Sequence, residues 1–199
     1  MANKGFLAAL GSGKQTGERA NNDFYATNPL SVQGLLTKEN VQGDLLEPCV
    51  GQGQIVDTLK QSGCDLNSIT TLDLINRGYP NTVVDDFLTH AFGKQKFDWI
   101  VTNPPYKLAE PFIRKSYNLL KDNGKMAFFL RIQFLESVQR YQLFQDLPLQ
   151  RVYVFSKRQT PWKNGQQTNN GKKWASTICF AWFVWQKGYK GQPTIDWIK

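Results

Sequence analysis

Histidine is nearly absent from this chain, and cysteine is scarce. The single histidine is His90, and Cys49, Cys64 and Cys179 form no CxxC and no Cys/His pair at ligand spacing. That argues against a structural metal and against a disulfide framework, so no metal site is expected. Long apolar runs are missing too, and none approaches the roughly 18 residues a membrane span needs. Phe6-Leu7-Ala8-Ala9-Leu10 is too short for a signal-peptide core and has no cleavage site behind it. Together these absences imply a soluble cytosolic protein with no membrane partner. Acidic residues run short in one half only. Residues 1–100 hold 8 Lys/Arg against 11 Asp/Glu, and residues 101–199 hold 16 against 5, giving −3 and +11 within a total of +8. Cationic excess confined to one half suits a polyanionic partner, most simply nucleic acid; a generic basic surface is the bland alternative.

What is present fits one packed domain. The 199 residues are 41% hydrophobic and 13% aromatic, enough for one substantial core and too few for two ordinary domains. Residues 1–20, Gly-rich and polar, are expected to form a flexible arm. Gly11-Ser12-Gly13-Lys14 fails as a phosphate loop, because Ala8 and Gln15 stand where Gly and Ser/Thr are needed. A capped helix is expected from Asn28 over 28–40. Strands are then expected at 44–49, 68–74, 82–88, 97–101, 125–130, 151–155 and 176–185, with helices at 54–62, 109–120 and 134–143. This alternation predicts an α/β domain over 21–199, with a mainly parallel sheet covered on both faces. The last apolar strands suit an antiparallel edge addition. Segment 156–175 is a long, basic, Gly- and Asn-rich loop carrying Trp162 and Trp174, a length that points to function or disorder.

The candidate chemistry sits at strand ends, where open α/β sheets bind ligands. Asn103-Pro104-Pro105-Tyr106 follows the apolar strand Phe97–Val101. Two prolines force a sharp turn, which leaves carbonyls without N–H partners and presents an amide and a ring. That set can accept hydrogen bonds from a planar amino group while a ring stacks on its π-system; read alone, it is also a Pro-Pro turn with an Asn cap. The turn Glu47-Pro48-Cys49-Val50-Gly51-Gln52-Gly53 permits close backbone approach to a ligand, although a lone GxG is weak evidence. Asp73, before Leu74, is placed to take ribose hydroxyls, and Asp86-Phe87 supplies an acceptor and an apolar ring for an adenine.

The order FYATNP (Phe24 to Pro29), LLEPCVGQG, LDL, DDFL and NPPY resembles the S-adenosylmethionine-dependent amino-methyltransferases, specifically the adenine-N6 DNA group. Small members carried by phages and mobile elements are most similar, and the likeness covers roughly residues 22–185. It implies a Rossmann-like methyltransferase fold: a mainly parallel seven-stranded sheet with an antiparallel edge strand and helices on both faces. It implies S-adenosylmethionine as cofactor and S-adenosylhomocysteine as product. The cofactor's methionine end would meet Phe24, Tyr25 and Thr27, and its amino group would lie near Glu47, Gly51 and Gly53. Its ribose would meet Asp73 beside Leu74, its adenine Asp86 and Phe87, and its reactive end Asn103. Asn103, Pro104 and Tyr106 would be catalytic. The two acceptors would free the lone pair of the N6 amino group, and Tyr106 would stack on the base.

Such a site reaches a base only if it is turned out of the duplex. Pro105, Tyr106, Lys157, Arg158, Trp162 and Lys163 are the expected substrate contacts, with the loop on the backbone and Trp162 a pocket wall or wedge. Trp162 and Trp174 could equally anchor the loop. Restriction-type relatives carry a separate target-recognition domain; none is expected here, so selectivity falls to the loop, the arm or a second subunit. A monomer or weak homodimer on DNA is the expected assembly. RNA adenine methylation, glutamine-N5 methylation of protein, and a catalytically dead nucleic-acid binder are the alternatives.

Overall fold

The structure, a computed structural model, describes residues 24–169, 171–173 and 177–199. The arm at 1–20 and Trp174 lie outside these residues. After β1 (Tyr25–Ala26) the chain forms α1 (Pro29–Leu36), β2 (Gly43–Glu47), α2 (Gln54–Gln61), β3 (Leu66–Asp73), β4 (Val83–Val84) and β5 (Phe97–Thr102). A 3-10 turn, Tyr106–Leu108, leads into α3 (Ala109–Leu119), β6 (Leu120–Arg131), α4 (Val138–Asp146) and β7 (Arg151–Phe155). Short strands β8 (Trp162–Lys163), β9 (Thr168–Asn169) and β10 (Lys172–Lys173) precede β11 (Phe180–Gln186) and β12 (Thr194–Ile198).

Eight strands build the main sheet, in the order β12-β7-β11-β6-β5-β2-β3-β4. All neighbours are parallel except β11, which runs antiparallel to both β6 and β7. The strand inventory therefore exceeds the expected seven by one, β12, which pairs with β7 and makes the outer edge. The antiparallel strand lies inside that edge. Its composition explains why: Phe180 to Trp185 are buried without a break, and alternate residues serve opposite faces. Ala181, Phe183 and Trp185 join the layer under α3 and α4, while Phe180, Trp182 and Val184 join the layer under α1 and α2. Helices thus cover both faces. The Trp182 indole N–H donates to the Ser31 carbonyl at 2.7 Å, which keeps its one polar atom satisfied in the core.

Two elements depart from the sequence pattern for local reasons. The strand expected at 82–88 stops at Val84, because Asp85 and Asp86 bond forward to main-chain N–H groups and break the ladder. The helix expected at 134–143 is displaced to α4, whose N-cap Ser137 accepts from the Gln139 N–H at 3.1 Å. The parallel strands β2, β3, β4 and β5 all end at one edge of the sheet. Glu47, Asp73, Asp85-Asp86 and Asn103 come together there.

Candidate active site

The glycine turn after β2 is a tight cradle. Gly51 (φ 57°) and Gly53 (φ 91°) hold left-handed conformations that disfavour a side chain. Space forbids one as well: a Cβ on Gly51 would lie 2.3 Å from the Phe24 ring, and one on Gly53 would lie 2.0 Å from the Tyr79 ring. Arg77 caps Phe24 from outside, its guanidinium carbon 4.6 Å from the ring centre. Asp73 fixes the turn from below. One carboxylate oxygen accepts from the Gly51 N–H at 2.8 Å and the other from the Ile75 N–H at 3.0 Å.

Glu47 is fully buried beside this turn. One of its oxygens accepts from the Cys49 N–H at 3.2 Å, and Oε2 has no hydrogen-bond partner among the described residues. Burial pushes its carboxyl up to about 8, outweighing the nearby Thr102 hydroxyl and the Cys49 N–H. At pH 7 the carboxyl is thus mostly protonated, with one proton to release. Burial likewise pushes the Cys49 thiol well up, so it is no nucleophile.

At the end of β5 the Asn103 amide is held in one orientation. Its NH2 group donates to the Tyr25 carbonyl at 3.0 Å, and its oxygen accepts from the Tyr106 hydroxyl at 3.1 Å. The oxygen, with a second lone pair, is therefore the atom turned away from β1. Among the described residues no N–H donates to the Pro104 carbonyl. Tyr106 is half-buried, its ring 5.8 Å from that of Phe180 and 5.1 Å from the Arg131 guanidinium carbon. Burial raises its phenol above the ordinary range.

Some expected residues are placed differently. Phe87 is only 2% exposed and packs among Phe92 and Phe112, so its ring is part of the core. Asp86 stays exposed and accepts from the Leu88 N–H at 2.8 Å. Thr27 is buried, whereas Leu74 and Pro105 are exposed. Lys157, Arg158 and Lys163 are exposed on the loop, and Trp162 is half-buried. The loop is seated on the glycine-turn side: Tyr25 pairs with Lys163 and Ala26 with Trp162, and the Asn164 N–H donates to the Phe24 carbonyl at 2.7 Å. Gln159 accepts from the Asn28 amide at 3.3 Å. Tyr79 and Arg131 were not signalled by any motif; their only cues are an aromatic in a polar loop and a charge ending an apolar strand.

Comparison with solved structures finds the same architecture. A modification subunit of a type I restriction enzyme from Vibrio vulnificus superposes with a TM-score of 0.63 at 14% identity, covering 90% of this chain and 48% of that one. A class I S-adenosylmethionine-dependent methyltransferase from Listeria monocytogenes gives 0.58 at 12% identity, covering 98% and 72%. This chain has the class I methyltransferase fold. The EcoKI modification protein gives 0.57 at 14% identity, covering 83% and 44%, so the chain spans about half the length of either modification subunit. No family model and no curated protein matches the sequence. Among the described residues of this methyltransferase fold, no helix is long and apolar enough to cross a membrane.

Proposed function

We propose that this chain methylates the N6 amino group of adenine in DNA, on a base turned out of the duplex, with S-adenosylmethionine as donor. The observation that carries the reading is the Asn103 amide, locked by the Tyr25 carbonyl so that its oxygen faces the Tyr106 side. The residues present fit the cofactor. The Gly51-Gly53 cradle has room for no side chain, and the orphan Glu47 Oε2 lies beside it, suited to a cationic amino group. Phe24, Tyr25, Thr27, Asp73, Leu74 and Asp86 would complete the contacts to the cofactor. When bound, the cofactor supplies a methyl group already activated on a sulfonium.

The protein's part is then orientation and charge dispersal. The adenine N6 lone pair is delocalised into the ring, which makes the amine a poor nucleophile. Asn103 Oδ1 and the Pro104 carbonyl each accept one amino hydrogen, which favours a pyramidal nitrogen and spreads the positive charge that develops there. The Tyr106 ring stacks on the base and holds it in line. The half of the chain carrying +11 supplies the electrostatic attraction to the backbone, with Lys157, Arg158, Trp162 and Lys163 on the loop beside the site. The likeness to two restriction-enzyme modification subunits supports DNA as the polymer.

The test is transfer from labelled S-adenosylmethionine to unmethylated DNA, with RNA and cell protein offered in parallel. The expected product is N6-methyladenine in DNA, lost in Asn103→Ala. Label in RNA or in glutamine would replace the substrate, and no transfer to any polymer despite cofactor binding would replace the enzyme reading itself.

A further inference from the structure

We propose that Arg131 is a further substrate-contact residue, donating to a phosphodiester oxygen beside the turned-out nucleotide while its guanidinium supports the Tyr106 ring. The inference deepens the DNA reading and rests on it for the class of ligand.

Arg131 is the last residue of β6, after the buried run Met126–Leu130. Its register partner is Phe180, the first residue of β11, and its guanidinium carbon lies 5.1 Å from the centre of the Tyr106 ring. The side chain is half-buried, and its Nε is sealed from solvent with no hydrogen-bond partner among the described residues. Three other arginines spend their donors inside the protein. Arg114 binds Glu110 and Asp146, Arg140 binds the carbonyls of Gln133, Phe134 and Glu136, and Arg151 binds Thr194 and Tyr153. Arg131 makes no ion pair among the described residues.

A cationic fork left unpaired at a sheltered site is costly unless a ligand completes it. A full charge with no counter-ion favours an anionic acceptor over a neutral base edge. The guanidinium matches a phosphate in geometry and lies well against an aromatic face, so one group can serve both contacts.

The test uses Arg131→Gln, which removes the charge, and Arg131→Lys, which keeps the charge and loses the plane. Both are compared with the wild type for melting temperature, which is expected not to fall, and for S-adenosylhomocysteine binding, which is expected to be unchanged. Binding to sheared genomic DNA is measured from 50 to 200 mM salt. Arg131→Gln is expected to lower the slope of log K against log salt by about 1, and Arg131→Lys to retain it. On an unmethylated duplex carrying the target adenine, each phosphate flanking that adenine is replaced in turn by an uncharged methylphosphonate. One replacement is expected to cut wild-type kcat/KM about tenfold and to leave Arg131→Gln unaffected. An unchanged salt slope in Arg131→Gln, or equal methylphosphonate losses in both proteins, overturns the assignment. Should the wild type bind DNA without methylating it, the functional reading falls while the salt slope still decides Arg131. Failure to bind DNA at all overturns both.

Discussion

The strand ends on the two sides of Thr102 treat their polar groups in opposite ways. On the β2-β3-β4 side the carboxylates are largely bonded to the backbone: Asp73 holds Gly51 and Ile75, Asp86 holds Leu88, and Glu47 holds Cys49 through one oxygen, leaving only its Oε2 without a partner among the described residues. On the β5-β6-β11 side the Pro104 carbonyl and the Arg131 Nε have no partner among the described residues, and Asn103 Oδ1 has one hydroxyl. The division follows the charge of the chain, since residues 1–100 carry −3 and residues 101–199 carry +11. Under the proposed function the first side meets one small molecule of fixed shape, and a preorganised site lowers the ordering cost of holding it. The second side meets a polymer that must enter, turn out a base and leave, so its donors and acceptors stay open.

The largest effect should come from the open side. Asn103→Ala is expected to cut kcat by 10²- to 10³-fold, roughly 3–4 kcal/mol of transition-state stabilisation, while cofactor affinity moves less than threefold. A parallel collapse of cofactor binding would erase the distinction between the two sides. Asp73→Ala should do the reverse. Two buried-side N–H groups lose their acceptor, at about 1–3 kcal/mol, and cofactor Kd in a calorimetric titration should rise well over tenfold. Gly51→Ala combines a positive φ with a Cβ 2.3 Å from the Phe24 ring, so about tenfold weaker cofactor binding with near-normal polymer binding is expected.

The smallest effect is the most diagnostic of burial. The Glu47 carboxyl rises from an ordinary value of 4.5 to about 8. Between those two values the unfolded chain gives up this proton while the folded chain keeps it. This contribution to stability is therefore full below pH 4.5, falls as pH rises, and is gone above about 8. The fall is at most about 1.4 kcal/mol per pH unit. Chemical denaturation at pH 6 and 7 should show it in the wild type and lose it in Glu47→Gln. A cationic cofactor favours the ionised carboxylate, so its affinity should climb towards pH 8 in the wild type and stay flat in that variant.

Much of this was legible in the residues. Seven strand segments follow from apolar runs, and the edge that gathers Glu47, Asp73, Asp86 and Asn103 follows from strands that end in carboxylates or in Pro-Pro. Interactions distant in sequence were not legible. The lock on Asn103 comes from a main-chain carbonyl 78 residues away, and a carbonyl leaves no trace in side-chain pattern. Phe87 reads as a ligand-facing ring beside Asp86, yet Phe92 and Phe112 draw it into the core. β12 escaped because it is an edge strand with exposed Ile195 and Trp197 behind Pro193, and so lacks the apolar continuity of a central strand.

The interior place of β11 has a consequence for how the molecule is made. Ribosomes deliver β6 and β7 first; β6 already lies beside β5, but the edges of β6 and β7 that β11 joins stay open until residues 180–186 have emerged to slot between them. Until that moment Phe128, Phe129 and Val152 lack the strand that completes their layers, and two open backbone edges face any other nascent chain. Synthesis slowed between residues 155 and 180 would prolong that exposure, and a chain halted there should be found in aggregates or on chaperones instead of in a half-built, working fold.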